Sequence, residues 1–157
     1  DAALIAHADA TWGDRNLYGL LLTYAGAEFL HQTKNISLIV DSSMESEAIG
    51  SSKAAEAVSF AREILRALGA PPHGSTLITT DNLSNQRVAT GAGAPSRSMH
   101  FLRRYGVLKQ RIRSGEVNVQ HIPDEQMPAD FRTKWIMQKK LDKSIAYAPN
   151  SRSLNKP

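Results

Sequence analysis

The feature that most constrains the fold is a long helical pattern over residues 42–68, with strand-like segments on both sides of it. Ser42 or Ser43 is a good helix N-cap, and the pattern ends at the sequence GAPP, residues 69–72. At about 3.6 residues per turn, one face of this helix is apolar. Its members are Ala54, Val58, Ala61, Leu65 and Leu68. Because an apolar stripe has to be buried, we expect the helix to lie on a sheet built from the flanking strands.

Strand and helix patterns elsewhere in the chain indicate an α/β fold. Three apolar segments come first, at residues 3–12, 18–26 and 28–35, and the last two are joined by a hairpin turn around Ala25, Gly26 and Ala27. The long helix is followed by a strand at 75–81, a short helix at 82–91, a basic amphipathic helix at 100–115, a strand at 116–123 and a final helix from Pro128 to about Leu141. This order predicts one five-stranded mixed sheet, three antiparallel strands and then βαβ crossovers, with helices on both faces. We expect one domain over residues 1–141 and a flexible tail at 142–157.

The absence of cysteine among the 157 residues narrows the chemistry. Disulfides, thiolate metal sites and cysteine nucleophiles are excluded, and an intracellular location is favoured. The chain has no run of about 18 apolar residues, so no membrane span is predicted. It begins without Met and without a secretory signal, and we expect it to be a piece of a longer protein.

Charge is divided unevenly along the chain. Residues 1–96 hold 6 Lys and Arg against 10 Asp and Glu, a net charge of −4, whereas residues 97–140 hold 10 against 4, a net charge of +6. A basic C-terminal part is typical of proteins that bind a polyanion such as nucleic acid. A solvated basic face that binds nothing fits the charge equally well.

Four acidic residues stand out by their positions. Glu47 heads the apolar stripe of the long helix, whereas Glu45 falls on its solvent side. Asp9 and Asp81 end apolar strands, and Asp130 falls in the first turn of the predicted final helix. Each has an ordinary alternative as a helix cap, a partner of the helix dipole or a strand-end turn former. If these carboxylates meet at neighbouring strand ends, they repel one another unless cations intervene, and hard oxygen ligands without a His or Cys cluster favour Mg²⁺ or Mn²⁺.

Four motifs, in this order along residues 4–136, resemble the ribonuclease H domain of copia-type retrotransposon reverse transcriptases. HADATW is similar to that family's D-A-D-W, DSSMESEAIG to its L-S-S-T-E-A-E-Y, and TTDNLSN to its C-D-N-Q-S-A. The segment from Ser98 to Lys134 resembles a family pattern that begins T-K-H and ends A-D-x-x-T-K. The sequence departs from the family at Thr11, where the second Asp of D-A-D-W is expected, at Met44 and at Leu83.

The resemblance implies a ribonuclease H-like fold and an endonuclease that cuts the RNA strand of an RNA·DNA hybrid with two Mg²⁺ ions, which Mn²⁺ can replace. Matched motif to motif, the four catalytic and metal-binding carboxylates fall on Asp9, Glu47, Asp81 and Asp130. Contacts to the nucleic acid are implied for Ser43, Asn82, Arg97 and His100, although His100 is equally well explained as a helix-start residue that packs on the surface. The positive charges of Arg103 and Arg104 are expected to bind phosphate groups of the nucleic acid. The expected partners are the hybrid and the polymerase part of a reverse transcriptase, with no membrane, in the cytoplasm or a virus-like particle.

Two other functions fit the same fold. The first is a catalytically inactive domain that braces a reverse transcriptase or holds nucleic acid, which the presence of all four carboxylates argues against. The second is an integrase-type or resolvase nuclease, whose acidic residues run Asp, Asp, Glu with the Glu late in the chain.

For the histidines in strands, His7 and His121, we expect hydrogen-bonded packing rather than metal ligation. We expect Trp12 and Trp135 in the core.

Overall fold

The computed structural model describes the backbone of residues 3–91 and 99–147, with side chains throughout these ranges except at positions 99–102, 104 and 147. The first part of the chain forms β1 (Leu4–Ala10), β2 (Leu17–Tyr24), β3 (Ala27–Asn35), α1 (Ser43–Ala67), β4 (Thr76–Thr80) and α2 (Leu83–Thr90). The second part forms α3 (Met99–Arg113), β5 (Val117–His121), two 3₁₀ helices, η1 (Asp124–Gln126) and η2 (Asp130–Arg132), and α4 (Gln138–Tyr147).

The five strands form one mixed sheet in the order β3-β2-β1-β4-β5, which confirms the predicted fold class. β2 pairs antiparallel with β1 and β3, whereas β4 pairs parallel with β1 and β5. Since β1 and β4 are parallel neighbours, their carboxyl ends lie at the same edge of the sheet. The two acidic residues predicted at strand ends, Asp9 and Asp81, are therefore brought to one edge.

The hairpin between β2 and β3 has a two-residue turn, as its sequence predicts. Tyr24 pairs with Ala27, and the two turn residues Ala25 and Gly26 both have positive φ, 51° and 86°. Two consecutive positive φ angles are typical of a type I′ turn, whose twist suits adjoining antiparallel strands.

Helix α1 covers one face of the sheet with the apolar stripe read from the sequence. Ala54, Val58 and Ala61 are fully buried and Leu65 is 3% exposed, in one cluster with alternate residues of β1 and β2. Leu68, predicted on the same stripe, is 72% exposed because the helix has ended and this residue is its C-cap. The prediction was wrong at that last position only.

The opposite face is covered in part by η2. His7, Leu21 and Thr79 are register neighbours on this face and are all buried. Gly19 lies two residues before Leu21, and a Cβ atom added there would lie 2.6 Å from the Cβ of Arg132 in η2. Only a residue without a side chain lets η2 come this close to β2.

The predicted final helix from Pro128 to Leu141 was wrong in its bounds. The chain instead makes the single turn η2, runs without regular structure to residue 137 and then forms α4. Thr133 leaves the helical region with φ −124°, and both Thr133 and Lys134 turn their side chains toward the carboxylates of Asp9 and Asp130. These tertiary contacts override a weak helical preference in a stretch that also contains Trp135 and Ile136.

α4 crosses residue 141, where we placed the end of the domain, and that boundary stays a prediction. Within the described ranges, no helix is long and apolar enough to cross a membrane.

Candidate metal centre

Three aspartates from three separate elements meet at the sheet edge. Asp9 belongs to the end of β1, Asp81 follows β4 directly, and Asp130 begins η2. One carboxylate oxygen from each lies within 4.8 Å of those of the other two. The side chains of Asp9 and Asp130 are 0% and 1% exposed, and that of Asp81 is 14% exposed. We call Asp9, Asp81 and Asp130 the aspartate cluster.

Glu47 lies in α1 beside this cluster and is 8% exposed. Burial and, to a smaller extent, the nearby charges of Asp9 and Asp81 raise the pKa of its carboxyl group to about 9, although the charge of Lys134 and a hydrogen bond from the backbone of Ala10 act to lower it. At neutral pH, a pKa this high keeps the carboxyl group protonated when no metal ion is bound. Glu47 is therefore held next to the aspartate cluster as a neutral acid.

Glu45, two residues earlier, forms hydrogen bonds at the N-terminus of α1 instead of lying beside the aspartate cluster. Its Oε2 accepts a hydrogen bond of 3.1 Å from the backbone N–H of Asp41, while its own N–H donates to the hydroxyl of Ser42, the N-cap of α1. These two hydrogen bonds stabilise the N-terminus of the helix, in the manner of a capping box. The structure thus separates the two glutamates as the helical pattern predicts, with Glu45 at the cap and Glu47 at the cluster.

A lysine stands among the three aspartates. Lys134 Nζ lies 3.2 Å from Asp9 Oδ1, 3.2 Å from Asp130 Oδ1 and 3.7 Å from Asp81 Oδ2. Burial alone would lower the pKa of Lys134, but the charges of the three aspartates raise it above its ordinary value. The ammonium group is therefore charged throughout the range in which proteins are stable.

Asp9 is the most deeply buried member of the aspartate cluster. Burial raises its pKa to about 6, although the charge of Lys134 and a hydrogen bond from the hydroxyl of Thr133 to Oδ2 both act to lower it. The other oxygen, Oδ1, accepts no hydrogen bond from any described residue and has only the ion pair with Lys134. A buried carboxylate oxygen without a hydrogen bond is costly unless a cation binds it.

At the rim of the site, Lys140 of α4 links two acidic residues. Its ammonium group donates to Asp130 and, at 2.7 Å, to Asp124 of η1. The hydrogen bond from Lys140 lowers the pKa of Asp124. Asp130 therefore forms ion pairs with two lysines, Lys134 just after η2 and Lys140 in α4. Their two positive charges offset the negative charge of Asp130.

A buried hydrogen-bond network supports the site from beneath. Asn85 of α2 is fully buried; its amide group donates to Ser51 Oγ at 2.7 Å and to Thr80 Oγ1 at 3.3 Å, and its oxygen accepts from the hydroxyl of Tyr105 at 2.6 Å. The same amide lies 3.4 Å from the backbone oxygen of Glu47. Four elements, α1, β4, α2 and α3, are thereby joined just below the acidic side chains.

Sequence reasoning missed Thr133, Lys134, Lys140 and Asn85 as parts of the site. A local signal existed for Lys134, which follows Asp130 by four residues, the spacing of a helical ion pair. Another existed for Asn85, a polar residue on the buried side of a short helix where the resembling motif has Ala.

The residues predicted to contact nucleic acid are only partly described. Ser43 is exposed at the first position of α1, and Arg103 is exposed on α3. Asn82 is the N-cap of α2, and its side chain accepts a hydrogen bond from the backbone of Asn85. Arg97 lies outside the described residues, as do the side chains of His100 and Arg104. Their contacts to nucleic acid stay predictions.

The two strand histidines have the hydrogen-bonded packing that we expected. His7 Nδ1 lies 2.7 Å from Thr79 Oγ1 within the core, and His121 Nε2 lies 3.1 Å from the backbone oxygen of Asp81.

The prediction that Trp12 and Trp135 lie in the core was wrong. Trp12 is 53% exposed and Trp135 is fully exposed, because each lies in a connecting segment rather than a strand or helix.

The ligand set fits a hard divalent cation. Three aspartate oxygens lie close enough to share an ion, Glu47 adjoins them, and Asp9 Oδ1 is buried without a hydrogen bond. Carboxylate oxygens are the ligands that Mg²⁺ and Mn²⁺ prefer. The position of Lys134 shows that the aspartate cluster already attracts positive charge.

The chain is similar to known proteins in its fold and not in its sequence. No protein-family model and no curated protein sequence matches the chain. Among solved structures, the N-terminal RNase H domain of rv2228c from Mycobacterium tuberculosis has a TM-score of 0.64 at 13% identity, covering 92% of this chain and 97% of that one. LC11-RNase H1, in complex with an RNA/DNA hybrid, has a TM-score of 0.64 at 13% identity, covering 90% and 99%. RNase H1 from Halobacterium salinarum has a TM-score of 0.60 at 16% identity, covering 81% and 90%.

A viral enzyme of larger size is also similar. The protease-reverse transcriptase of prototype foamy virus matches with a TM-score of 0.51 at 11% identity, covering 92% of this chain and 19% of that one. At these identities the likeness concerns the fold alone. With its sheet order, its parallel β1–β4 pair and these neighbours together, the chain has the ribonuclease H-like fold.

Proposed function

We propose that this chain is a metal-dependent endoribonuclease that cleaves the RNA strand of RNA·DNA hybrids, as the ribonuclease H domain of a copia-type retrotransposon reverse transcriptase. The observation that carries the proposal is the meeting of Asp9, Asp81 and Asp130 at one sheet edge, with Glu47 beside them. The ribonuclease H-like fold and the hybrid bound to LC11-RNase H1 support the substrate class. The four sequence motifs support the retrotransposon origin.

Two Mg²⁺ ions are the expected cofactor, with Asp9, Glu47, Asp81 and Asp130 as the residues that would hold them. Metal ions at such a site activate a water molecule as nucleophile and stabilise the charge that develops on the leaving oxygen. The chain itself contributes position and charge. Thr133 orients Asp9 through its hydroxyl, and the Asn85 network keeps α1 and β4 in place under Glu47 and Asp81.

Protons have to leave the site before it can bind metal. Asp9 and Glu47 have pKa values raised to about 6 and about 9 in the metal-free protein. Because a metal ligand must be deprotonated, cation binding releases these protons and becomes stronger as pH rises. We therefore expect cleavage activity to increase from pH 6 to pH 9 at a fixed, subsaturating Mg²⁺ concentration.

Binding of the hybrid is expected to depend on salt rather than on sequence. The basic residues of α3 give this part of the protein its positive charge, and phosphate contacts of this kind weaken as the salt concentration rises. Ser43, four residues before Glu47, and Asn82, directly after Asp81, are proposed to face the wide minor groove of the hybrid. The proposed location is the cytoplasm or a virus-like particle.

The test is a cleavage assay on an RNA·DNA hybrid labelled on either strand, with Mg²⁺ or with EDTA. We expect cleavage of the RNA strand alone, loss of activity in EDTA, and a loss of at least about a hundredfold in Asp81→Asn, because positioning and charge neutralisation account for most of the catalysis. Asp14→Asn removes an exposed acid from a loop and serves as the control, with unchanged activity expected. Cleavage of duplex DNA, or full activity of Asp81→Asn, would refute the proposal.

An inactive bracing domain gives a different result. Such a domain would bind the hybrid in a gel-shift assay, yet it would leave the labelled RNA intact at every Mg²⁺ and Mn²⁺ concentration. Melting curves test directly whether the protein binds the metal ion, since a cation that binds only the folded state raises the melting temperature. We expect Mg²⁺ to raise it for the parent chain and to raise it less for Asp81→Asn.

A further inference from the structure

Lys134 pairs with three aspartates at once, whereas an ordinary surface ion pair joins two residues. Its Nζ lies within 3.2–3.7 Å of an oxygen of each member of the aspartate cluster, and two of these aspartates are buried. The aspartates come from β1, from the end of β4 and from η2, so Lys134 joins parts of the chain that are far apart in sequence. It also provides the ion-pair partner of the buried Asp9 Oδ1.

The physical reason for such a lysine lies in the charge of the cluster. Three carboxylates whose oxygens lie within 4.8 Å of one another repel strongly when they are shielded from water. The second lysine, Lys140, pairs with only Asp130 among them, and its ammonium group also donates to Asp124. The central positive charge among the described residues is therefore that of Lys134, in the space between the oxygens that would bind a cation.

We propose that Lys134 is a built-in counter-ion of the metal centre: it holds Asp9, Asp81 and Asp130 together in the metal-free protein, and a divalent cation has to displace its ammonium group in order to bind. The inference rests on the proposed function, since it takes the aspartate cluster as a metal site. It assigns Lys134 two opposite effects. The lysine stabilises the metal-free fold, and it weakens metal binding.

These opposite effects distinguish a competing cation from an ordinary structural salt bridge. If Lys134 only kept the cluster in shape, its removal would disorder the aspartates and weaken the binding of metal. If it competes for the same oxygens, its removal leaves three carboxylates uncompensated and makes them bind metal more tightly. The sign of the change in metal affinity therefore decides between the two roles.

The experiment measures Mg²⁺ affinity by isothermal titration calorimetry without nucleic acid, and melting temperature with and without Mg²⁺. In Lys134→Gln we expect the dissociation constant for Mg²⁺ to fall by about tenfold or more, because a unit charge within about 4 Å of the binding position is lost. We also expect a lower melting temperature without metal and a larger rise when Mg²⁺ is added. Lys134→Arg keeps the positive charge, and we expect it to change the dissociation constant less than Lys134→Gln does.

Lys139→Gln is the matched control, because it removes the same charge from an exposed neighbour in α4 and should leave the dissociation constant unchanged. A Lys134→Gln protein that binds Mg²⁺ no more tightly than the parent overturns the inference. If this variant is unfolded without metal, circular dichroism during a Mg²⁺ titration replaces the calorimetry. Recovery of the fold on adding Mg²⁺ then supports the inference, and failure to recover overturns it.

The outcomes for Lys134 and for the proposed function are separable. If the parent cleaves the hybrid but Lys134→Gln shows no gain in Mg²⁺ affinity, the counter-ion inference fails and the nuclease stands. If Lys134→Gln gains affinity but the parent cleaves nothing, the nuclease fails and the counter-ion stands. If the parent cleaves nothing and neither protein binds Mg²⁺, both are refuted.

Discussion

The protonation of Glu47 predicts an unusual dependence of stability on pH. Its carboxyl group has a pKa of about 9 in the folded protein, against an ordinary value of 4.5. Between these values the folded state holds a proton that the unfolded state has released. Stability therefore falls as pH rises through this window, which is the reverse of the effect of a salt-bridged carboxylate.

The size of this effect follows from the shift. Each pH unit within the window costs about 1.4 kcal/mol, so the metal-free protein should lose about 4 kcal/mol of unfolding free energy through Glu47 between pH 5 and pH 8. Glu47→Gln replaces the acid with a neutral group of similar shape and removes this loss. We expect the variant to match the parent at pH 5 and to exceed it by about 4 kcal/mol at pH 8, measured by urea unfolding in EDTA.

Glu45→Gln is the control for this experiment. It removes a carboxylate from the same turn of α1, but one that caps the helix and is only partly buried. We expect no comparable gain in stability at pH 8. Parallel stability curves for Glu47→Gln and the parent from pH 5 to pH 8 would show that Glu47 is ionised in the folded protein, and would refute its placement as a buried neutral acid beside the aspartate cluster.

Three further results follow from the structure. Mg²⁺ should raise the melting temperature of the parent more at pH 9 than at pH 6, since the metal displaces protons; an equal rise at both pH values would contradict this. Gly19→Ala should cost about 1–3 kcal/mol in a denaturation assay and weaken Mg²⁺ binding, because the new methyl group would meet Arg132 at 2.6 Å, whereas Gly106→Ala in α3 meets nothing within 4 Å and should be neutral or stabilising. Asn85→Ala should cost about 2–4 kcal/mol, more than Tyr105→Phe, because it leaves several buried polar groups without partners; a cost below about 0.5 kcal/mol would show that the network contributes little.

Much of the fold could be predicted because its signals are local. The hairpin at Ala25 and Gly26, the N-cap at Ser42 and the apolar stripe of α1 each depend on residues within a few positions of one another. The same helical periodicity separated Glu47 from Glu45. The order of strands and helices then allowed few arrangements, because parallel strands need a crossover connection.

The details of the site could not be predicted in the same way. Lys134 reaches Asp9 and Asp81 only because η2 folds over β2 at Gly19, and no local pattern encodes that contact. The final helix was misplaced for the same reason, since contacts from distant strands decide where the chain turns. The metal roles of the four carboxylates stay predictions until an ion is measured at the site.

The aspartate cluster draws its members from both ends of the described chain, Asp9 near the start and Asp130 near the finish. During synthesis on the ribosome, the early strands emerge long before η2 has been made. A nascent chain therefore lacks a complete set of ligands until almost all of this sequence has left the ribosome. If the proposed activity is correct, a nascent chain gains the ability to cut an RNA·DNA hybrid only after η2 has been made, and products that terminate before Asp130 lack this ability.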